Sequence, residues 1–370
     1  MSEIRVGIIG LQHLHPPSYL PLFRETPGVR VVAASDGDEA LRTRFCGEAG
    51  IEAHARWEDM VRRDDVDAVL VFLPHVDCRR AGIRAAEAGK HVVVEKPGAV
   101  DAEGLRWMIR AAAKNGVVFS LPYVWRYNVV AQEMKRLIDA GAVGEVVALE
   151  GRCAAGPPQR YAAANSAWML EKAKSGGGPM HNLGVHWIDL FRWFLKDEVK
   201  SALGEVSHRG HGIDIEDNAF AILTFEGGAV GTLDISYGVP ASYPAGRDLY
   251  IGIRGTKGVL VWSPNWSEAT SASEENELML CSEAPEYRDP PARRIRLTAP
   301  KVAGYGGAAG AAYLNDVFGA IRERRPPGIT GTDGLRALEV VEAVYTSAET
   351  GRREAVKRAD VDAANRREDG

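Results

Sequence analysis

Residues 67–97 of this 370-residue chain read DAVLVFLPHVDCRRAGIRAAEAGKHVVVEKP. Apolar strand patterns at 68–73 and 91–95 flank an Ala-rich helical pattern at 77–89, which ends at Gly89. Strands that are apolar almost throughout and are joined through a helix are typical of a parallel sheet with both faces covered. The stretch therefore predicts a βαβ unit.

The same alternation continues on both sides of this unit. Strand patterns at 5–10 and 30–35 precede it, with helical patterns at about 17–25, 38–49 and 57–63. A helical pattern at 101–115 and a short strand pattern at 117–120 follow it. We predict an α/β fold that begins with a Rossmann-type parallel sheet, in a nucleotide-binding domain over residues 1–122.

Beyond residue 122 strands follow strands, at 145–152, 199–208, 217–225, 229–236, 247–254 and 258–262. Such a series predicts a large mixed, mostly antiparallel sheet. Helical patterns lie at 129–140, 185–194, 309–323 and 333–350, and the Gly/Pro/Ala-rich segment 157–180 predicts an irregular excursion. We expect a second α/β domain over 123–356 that binds substrate and mediates oligomerisation, followed by a charged, frayed tail at 357–370.

Composition excludes several classes of function. A net charge of −5, with 45% apolar and 26% charged residues, does not fit a nucleic-acid surface. The four cysteines are far apart and predict free thiols in a reducing compartment. The sequence shows no signal-peptide pattern and no apolar stretch of about 18 residues, so we expect a cytoplasmic protein without membrane or nucleic-acid partners.

The turn after the first strand pattern keeps one glycine of the dinucleotide fingerprint. Gly10 is present, whereas Gln12 and His15 stand where the fingerprint has its other two glycines. Alone, this turn fits an ordinary strand-to-helix connection equally well. Asp36 lies 26 residues after Gly10, where an acidic residue binds the 2′-hydroxyl of NAD and repels the extra phosphate of NADP. We expect NAD rather than NADP, with an N-cap role as the alternative for Asp36.

The pair His13 and His15 raises a metal alternative, because such a pair opens some metal-dependent hydrolase barrels. A barrel of that kind needs eight βα units and further ligands at later strand ends. The strand-rich second half does not supply them. We predict no metal and expect these histidines to position cofactor or substrate.

Three motifs are most telling: Glu95-Lys96-Pro97, Gly176-Gly177-Gly178 and the pattern of Gly184, His186 and Asp189. Together they resemble motifs of the Gfo/Idh/MocA oxidoreductases, a family that acts mainly on sugars, polyols and their acids. The resemblance extends to about Gly351, and it is most specific at Glu95-Lys96-Pro97 combined with the later glycine and histidine motif. Arg126-Tyr127-Asn128 resembles the family's R-Y-N-P stretch, with Val129 replacing its proline. The further matches are 67–74, 88–97, Gly176-Gly177-Gly178, the G-x-H-x-x-D pattern of 184–189, 216–219, 255–258 and 330–334.

The resemblance implies hydride transfer between a nicotinamide and the carbinol of a sugar, polyol or related hydroxy compound. It implies that Lys96 and His186 handle the hydroxyl proton, with Asn182 where the family often has an aspartate. The residues it implies at the substrate are Arg126, Trp125, Asn182 and His186. Those expected at the cofactor are Gly10, Gln12, His13, Asp36, Pro74, His75, Glu95 and Lys96. It also implies a homodimer or homotetramer.

Three alternatives stay open, and the broken glycine fingerprint together with Asn182, an amide that cannot accept a proton as a base, motivates the sensor among them. The chain could use NAD transiently to cleave a glycoside, without net NADH formation. It could also be a non-catalytic sugar or nucleotide sensor, or the metal hydrolase considered above.

Overall fold

A computed structural model describes residues 3–264 and 275–359. Its N-terminal part is a six-stranded parallel sheet in the order β3-β2-β1-β4-β5-β6, the doubly wound order of dinucleotide-binding folds. The strands are β1 (Ile4–Ile9), β2 (Val29–Ser35), β3 (Glu52–His54), β4 (Ala68–Val71), β5 (His91–Val94) and β6 (Phe119–Ser120). The predicted Rossmann-type sheet is confirmed.

Five helices connect these strands, and the sequence patterns located each of them to within a few residues. They are α1 (Pro16–Arg24), α2 (Glu39–Ala49), α3 (Trp57–Val61), α4 (His75–Glu87) and α5 (Ala102–Lys114). Strand β4 is buried along its whole length, as its apolar sequence requires. The analysis missed β3, because this three-residue edge strand is largely exposed and has no apolar pattern.

The second sheet has nine strands in the order β14-β13-β12-β11-β7-β10-β9-β8-β15 among the described residues. Only the pair β7–β10 is parallel, so the predicted mixed, mostly antiparallel sheet is confirmed. The strands are β7 (Val146–Ala155), β8 (Val199–Ser207), β9 (Asn218–Phe225), β10 (Val230–Ser236), β11 (Arg247–Gly255), β12 (Gly258–Trp262), β13 (Glu275–Ser282), β14 (Ala292–Thr298) and β15 (Glu354–Ala355). The analysis missed β13, β14 and β15, and β14 carries arginines in place of an apolar run.

Helices cover one face of this sheet. They include α6 (Val129–Asp139), α9 (Val185–Leu195) and α11 (Gly331–Thr350), whereas α10 (Ala308–Glu323) packs against the turn Val124–Tyr127 and α1. Helix α9 approaches β7 closely, because a Cβ on Gly151 would lie 2.2 Å from the Trp187 ring. Helix α11 also packs against α5, and α10 packs against α1. These two C-terminal helices therefore contact helices of the N-terminal sheet, and α11 contacts strand β8 of the second sheet as well.

The excursion predicted as irregular contains short helical turns. These are α7 (Gln159–Ala163), a 3₁₀ turn (Ala167–Leu170) and α8 (Lys172–Ser175). A small separate apolar cluster anchors it, formed by Tyr161, Trp168, Met169, Ile215 and Tyr237. Of the predicted tail, residues 360–370 lie outside the described residues. No helix in the described part of the chain is long and apolar enough to span a membrane.

Candidate active site

The carboxyl ends of four parallel strands bring the predicted cofactor residues to one edge of the sheet. The turn after β1 carries Gly10 to His15, and Asp36 follows β2. Pro74 caps α4 just beyond β4, while Glu95 and Lys96 follow β5. In open parallel sheets ligands bind at this edge.

Gly10 makes the turn after β1 possible. Its φ is +85°, and a Cβ there would lie 2.9–3.0 Å from atoms of Leu73 and Phe72. The backbone N–H groups of Gln12 and His13 find no hydrogen-bond partner within the described residues. Helix α1 then begins with Pro16 and Pro17, which have no N–H. The anion-binding donors at this edge are therefore those of the turn rather than those of the helix.

Asp36 lies buried beside this turn. Its Oδ2 accepts from the Leu11 N–H at 2.7 Å, and its Oδ1 accepts from the Gln12 side chain at 3.1 Å and the Asp38 N–H at 2.8 Å. A carboxylate has about four acceptor positions, so one remains for a ribose hydroxyl. Asp38 caps α2 by accepting from the Leu41 N–H, so the N-cap alternative for Asp36 is wrong.

Of the two histidines of the turn, His13 is buried and His15 is mostly buried, with 12% of its side chain exposed. Burial is the main cause that lowers the pKa of both His13 and His15 well below the usual range. The His13 Nδ1 accepts from the His15 N–H at 3.1 Å, and the His15 ring lies 4.0 Å from the Tyr305 ring. The His15 Nδ1 lies 3.3 Å from Glu95 Oε1 without hydrogen-bond geometry. His13 and His15 thus shape the turn as uncharged groups.

Glu95 lies beneath this turn. Its Oε2 accepts from the Tyr19 hydroxyl at 3.3 Å, and burial raises its pKa. The Glu95 carboxylate therefore contacts Tyr19 of α1 and His15 of the turn, and it holds these side chains next to the predicted cofactor site.

The excursion of residues 157–180 contacts the same carboxyl edge of the parallel sheet. The Trp168 indole donates to the Gln12 carbonyl at 2.5 Å, and its ring lies 4.9 Å from the His75 ring. The His75 Nδ1 lies 2.7 Å from the Ser175 carbonyl, while its Nε2 is buried without a partner in the part of the chain that the structure describes. Burial lowers the pKa of His75 to about 3. The His75 Nε2 is therefore available for a hydrogen bond to a bound cofactor.

Lys96 and Asn182 form the centre of the site. The ammonium of Lys96 donates to the Asn182 Oδ1 at 2.6 Å and to its carbonyl at 3.0 Å. The Asn182 Nδ2 donates to the Tyr161 hydroxyl at 2.7 Å and the Tyr237 hydroxyl at 2.8 Å. The π-helical turn Met180–Gly184 places this amide. Both Nδ2–H groups and one acceptor position of Oδ1 are engaged by protein atoms, an arrangement that suits Asn182 to positioning Lys96.

Two groups of this centre fit proton transfer. Burial lowers the pKa of Lys96 to about 8, although the charge of Glu95 partly opposes the shift. Burial, then the charge of Lys96, lowers the pKa of His186 well below its usual range. The His186 Nδ1 and the hydroxyl of the adjacent Tyr123 are both buried without partners among the described residues. A lysine with a pKa of about 8 can exchange a proton with a substrate hydroxyl near neutral pH, and a neutral histidine can hydrogen-bond to the same hydroxyl.

Two residues expected at the substrate lie elsewhere. The Arg126 guanidinium donates to both oxygens of Asp189 at 2.6 and 2.8 Å and to Asp333 at 2.7 Å. Trp125 packs between Trp187 and Trp262, with ring centroids at 5.2 and 5.8 Å. Both residues hold the second domain together, because their polar and aromatic groups are already engaged there.

The sequence analysis did not identify several residues that the fold brings to this site. Tyr161, Arg160 and Trp168 come from the excursion, and Tyr237 follows β10. The sequence analysis had only predicted 157–180 as an irregular excursion, without assigning these residues to the site. Single tyrosines and arginines in such segments carry no periodic pattern.

The topology excludes the metal-dependent barrel considered for His13 and His15, because β1–β6 form an open sheet. In addition, no three His, Cys, Asp or Glu side chains within residues 3–264 and 275–359 are grouped to hold a metal ion.

The fold and the site define a two-domain, NAD-binding oxidoreductase: a Rossmann-type sheet edge meets an amide and a histidine from a second α/β domain. Family models agree with this class. The NAD-binding Rossmann model of the family matches residues 4–123, and the family's C-terminal domain model matches 131–261. The chain belongs to the Gfo/Idh/MocA oxidoreductase family.

Individual relatives are distant. The scyllo-inositol 2-dehydrogenase (NAD(+)) of Bacillus subtilis (strain 168) is 25% identical over 272 residues, which cover 69% of this chain and 72% of that protein. Inositol 2-dehydrogenase 2 of Saccharopolyspora erythraea is 27% identical over 356 residues, 94% of each chain. The WlbA dehydrogenase of Bordetella pertussis, solved with NADH and UDP-GlcNAcA, superposes with a TM-score of 0.81 at 22% identity, over 96% of this chain and 100% of that chain.

The residues at the sheet edge fit this cofactor. The glycine turn admits close backbone approach, the unpartnered N–H groups of Gln12 and His13 suit a pyrophosphate, and Asp36 suits a ribose hydroxyl. When bound, the nicotinamide accepts or donates hydride. The protein contributes orientation and the movement of a proton.

Proposed function

We propose that this oxidoreductase oxidises a carbinol of a sugar, polyol or related hydroxy compound, or reduces the corresponding carbonyl. The observation that carries the proposal is Lys96, buried at the sheet edge with a pKa of about 8 and held by Asn182. A lysine with that pKa can release and regain a proton near neutral pH. The names of the inositol dehydrogenase relatives support a polyhydroxylated substrate.

In the oxidation, the carbinol loses a hydride from carbon and a proton from oxygen. The neutral Lys96 amine accepts the hydroxyl proton, because its two bonds to Asn182 leave the third position of the nitrogen for substrate. His186 orients the same hydroxyl as a neutral imidazole. In the reduction, the Lys96 ammonium returns the proton to the forming alkoxide.

The test is reduced-nicotinamide formation from a panel of polyols and sugars, with Lys96→Met beside the exposed-lysine control Lys114→Met. We expect Lys96→Met to lower kcat by at least about 100-fold while NAD affinity changes little, since general acid–base catalysis contributes about that much. Unchanged turnover in Lys96→Met would refute the catalytic role and favour the sensor. Product formation that needs NAD but yields no net NADH would identify the glycoside-cleaving alternative.

We also propose that NAD is preferred over NADP, and that the chain works in the cytoplasm. The Asp36 carboxylate at the β2 end supports the first point, because it would repel a 2′-phosphate. The four cysteines are all unpaired, and three of them are buried, which fits a reducing compartment.

A homo-oligomer built on the open face of the second sheet completes the proposal. Apolar side chains are exposed there: Phe220, Ile222 and Val230 have 38–48% of their surface accessible. Adjacent exposed apolar residues on a sheet face mark an interaction surface. A second copy of the chain can cover them symmetrically. Sedimentation analysis should show a dimer or tetramer that Phe220→Asp dissociates; a monomeric wild-type protein would refute the proposal.

A further inference from the structure

We propose that the substrate of this site carries a carboxylate, and that Arg160 binds it. The inference rests on the proposed function, because it concerns the same pocket, and it narrows the substrate to sugar acids and related hydroxy acids.

Arg160 has free donors at the site. Its Nη2 donates to the Tyr161 hydroxyl at 2.9 Å and its Nη1 to the Gly156 carbonyl at 3.2 Å. Its guanidinium carbon lies 4.7 Å from the centre of the Tyr161 ring and 5.6 Å from that of Tyr237. No carboxylate of the described residues pairs with it. A guanidinium has five N–H donors in a planar fork, so the remaining ones can bind a carboxylate with two parallel bonds.

Hydrogen bonds connect Arg160 to the proton-transfer group. Arg160 bonds to the Tyr161 hydroxyl, which accepts from Asn182, which in turn accepts from Lys96 at 2.6 Å. Arg160 and Lys96 are therefore the two ends of one hydrogen-bonded chain that runs through Tyr161 and Asn182. A molecule whose hydroxyl meets Lys96 lies alongside this chain, with Arg160 within reach of its other end.

The local charge balance favours an anion. Arg160 and Arg247 both act electrostatically on the buried Lys96 and His15, and Arg247 also acts on His186. The carboxylate that acts on Lys96 is Glu95, which is turned toward Tyr19. Lys96 and Arg160 thus lie near one buried carboxylate, and an anionic ligand beside Arg160 would balance its positive charge.

Two anions could in principle meet Arg160: the cofactor pyrophosphate and a substrate carboxylate. The hydrogen-bonded chain joins Arg160 to Lys96 and Asn182, whereas the free N–H groups suited to pyrophosphate lie in the turn after β1. The geometry favours the substrate, and the experiment separates the two cases.

The experiment is calorimetric titration of the NADH-loaded protein with D-gluconate against D-glucitol, and with D-galactonate against galactitol. The wild type should bind at least one acid about 10-fold or more tightly than its neutral counterpart. Arg160→Met should lower that acid-to-neutral affinity ratio by about 10- to 100-fold, and Arg160→Lys should retain part of it as a point charge. Arg209→Met, which removes an exposed arginine, should leave the ratio unchanged.

Three results would overturn the inference: acids that bind no more tightly than their neutral counterparts, a ratio unaffected by Arg160→Met, or a loss confined to NADH affinity. Reduced-nicotinamide formation is measured separately. Acid binding without turnover would refute the proposed oxidoreductase substrate while keeping the carboxylate site. Turnover of neutral polyols without acid preference would refute only the carboxylate site.

Discussion

Changing Asn182 to Asp tests the electrostatic design of the site. The Asn182 Oδ1 lies 2.6 Å from the Lys96 ammonium, so the substitution places a negative charge at nearly that distance. The hydroxyls of Tyr161 and Tyr237, which now accept from the amide, can rotate and donate to the carboxylate. The variant therefore keeps its polar contacts and should fold.

The magnitude follows from Coulomb's law. At an effective dielectric constant of about 20, two unit charges at this distance attract by about 6 kcal/mol. Desolvation of the new carboxylate offsets much of that energy, and opposite charges in contact typically shift a pKa by about 1–3 units. The pKa of Lys96 should thus rise from about 8 by about 1–3 units. Near pH 7 the neutral amine becomes about 10- to 1000-fold rarer, and oxidation slows in proportion.

The assay is the pH dependence of kcat/KM in both directions, for wild type, Asn182→Asp and the exposed control Asn115→Asp. The limb of the oxidation profile near pH 8 should move to higher pH in Asn182→Asp alone. Reduction near pH 7 should persist, because it uses the protonated lysine. An oxidation profile that does not move would refute the argument that Lys96 is the base and that its pKa is low because it is buried next to an uncharged residue 182.

Three further predictions concern stability and cofactor choice. Since the folded-state pKa of Lys96 is about 8 against an unfolded value of 10.5, the buried charge costs up to about 3 kcal/mol below pH 8. Relative to Lys96→Met, the wild type should therefore gain about that much stability as pH rises from about 8 to 10.5 in urea titrations; a constant difference would contradict the shift. Arg126→Met should lower the free energy of unfolding by about 3–5 kcal/mol without raising KM, because it leaves the buried Asp189 carboxylate without its partner. A raised KM with unchanged stability would instead support the predicted contact between Arg126 and substrate. Asp36→Ser should bring NADP affinity within about 10-fold of NAD affinity, since Arg42 adjoins the β2 end, whereas Asp38→Ser should not; equal discrimination in both variants would refute the role of Asp36.

Periodicity predicted the N-terminal sheet because buried parallel strands such as β4 and β5 are apolar almost throughout. It failed for β3 and β14, whose residues are exposed or charged. Edge strands are specified by the neighbour they pair with, and that information is absent from their own sequence.

The candidate site was predictable only in part. Lys96 and His186 follow motifs at element ends, and the structure brings both to one centre. Arg126 also sits in a motif, but its pairing with Asp189 depends on a tertiary contact 63 residues away in sequence. Arg160 had no local signal, because its role depends on which side chains the excursion meets after folding.

The most direct test of hydride transfer with Lys96 as the proton acceptor uses a substrate deuterated at the carbinol carbon. The first compound of the panel that turns over is incubated with NAD and wild-type protein, and the nicotinamide is analysed by mass spectrometry. The account predicts deuterium in the reduced nicotinamide with wild type, and its loss in Lys96→Met with NAD binding retained. Product that forms without deuterium in the nicotinamide, or label transfer that survives Lys96→Met undiminished, would contradict it.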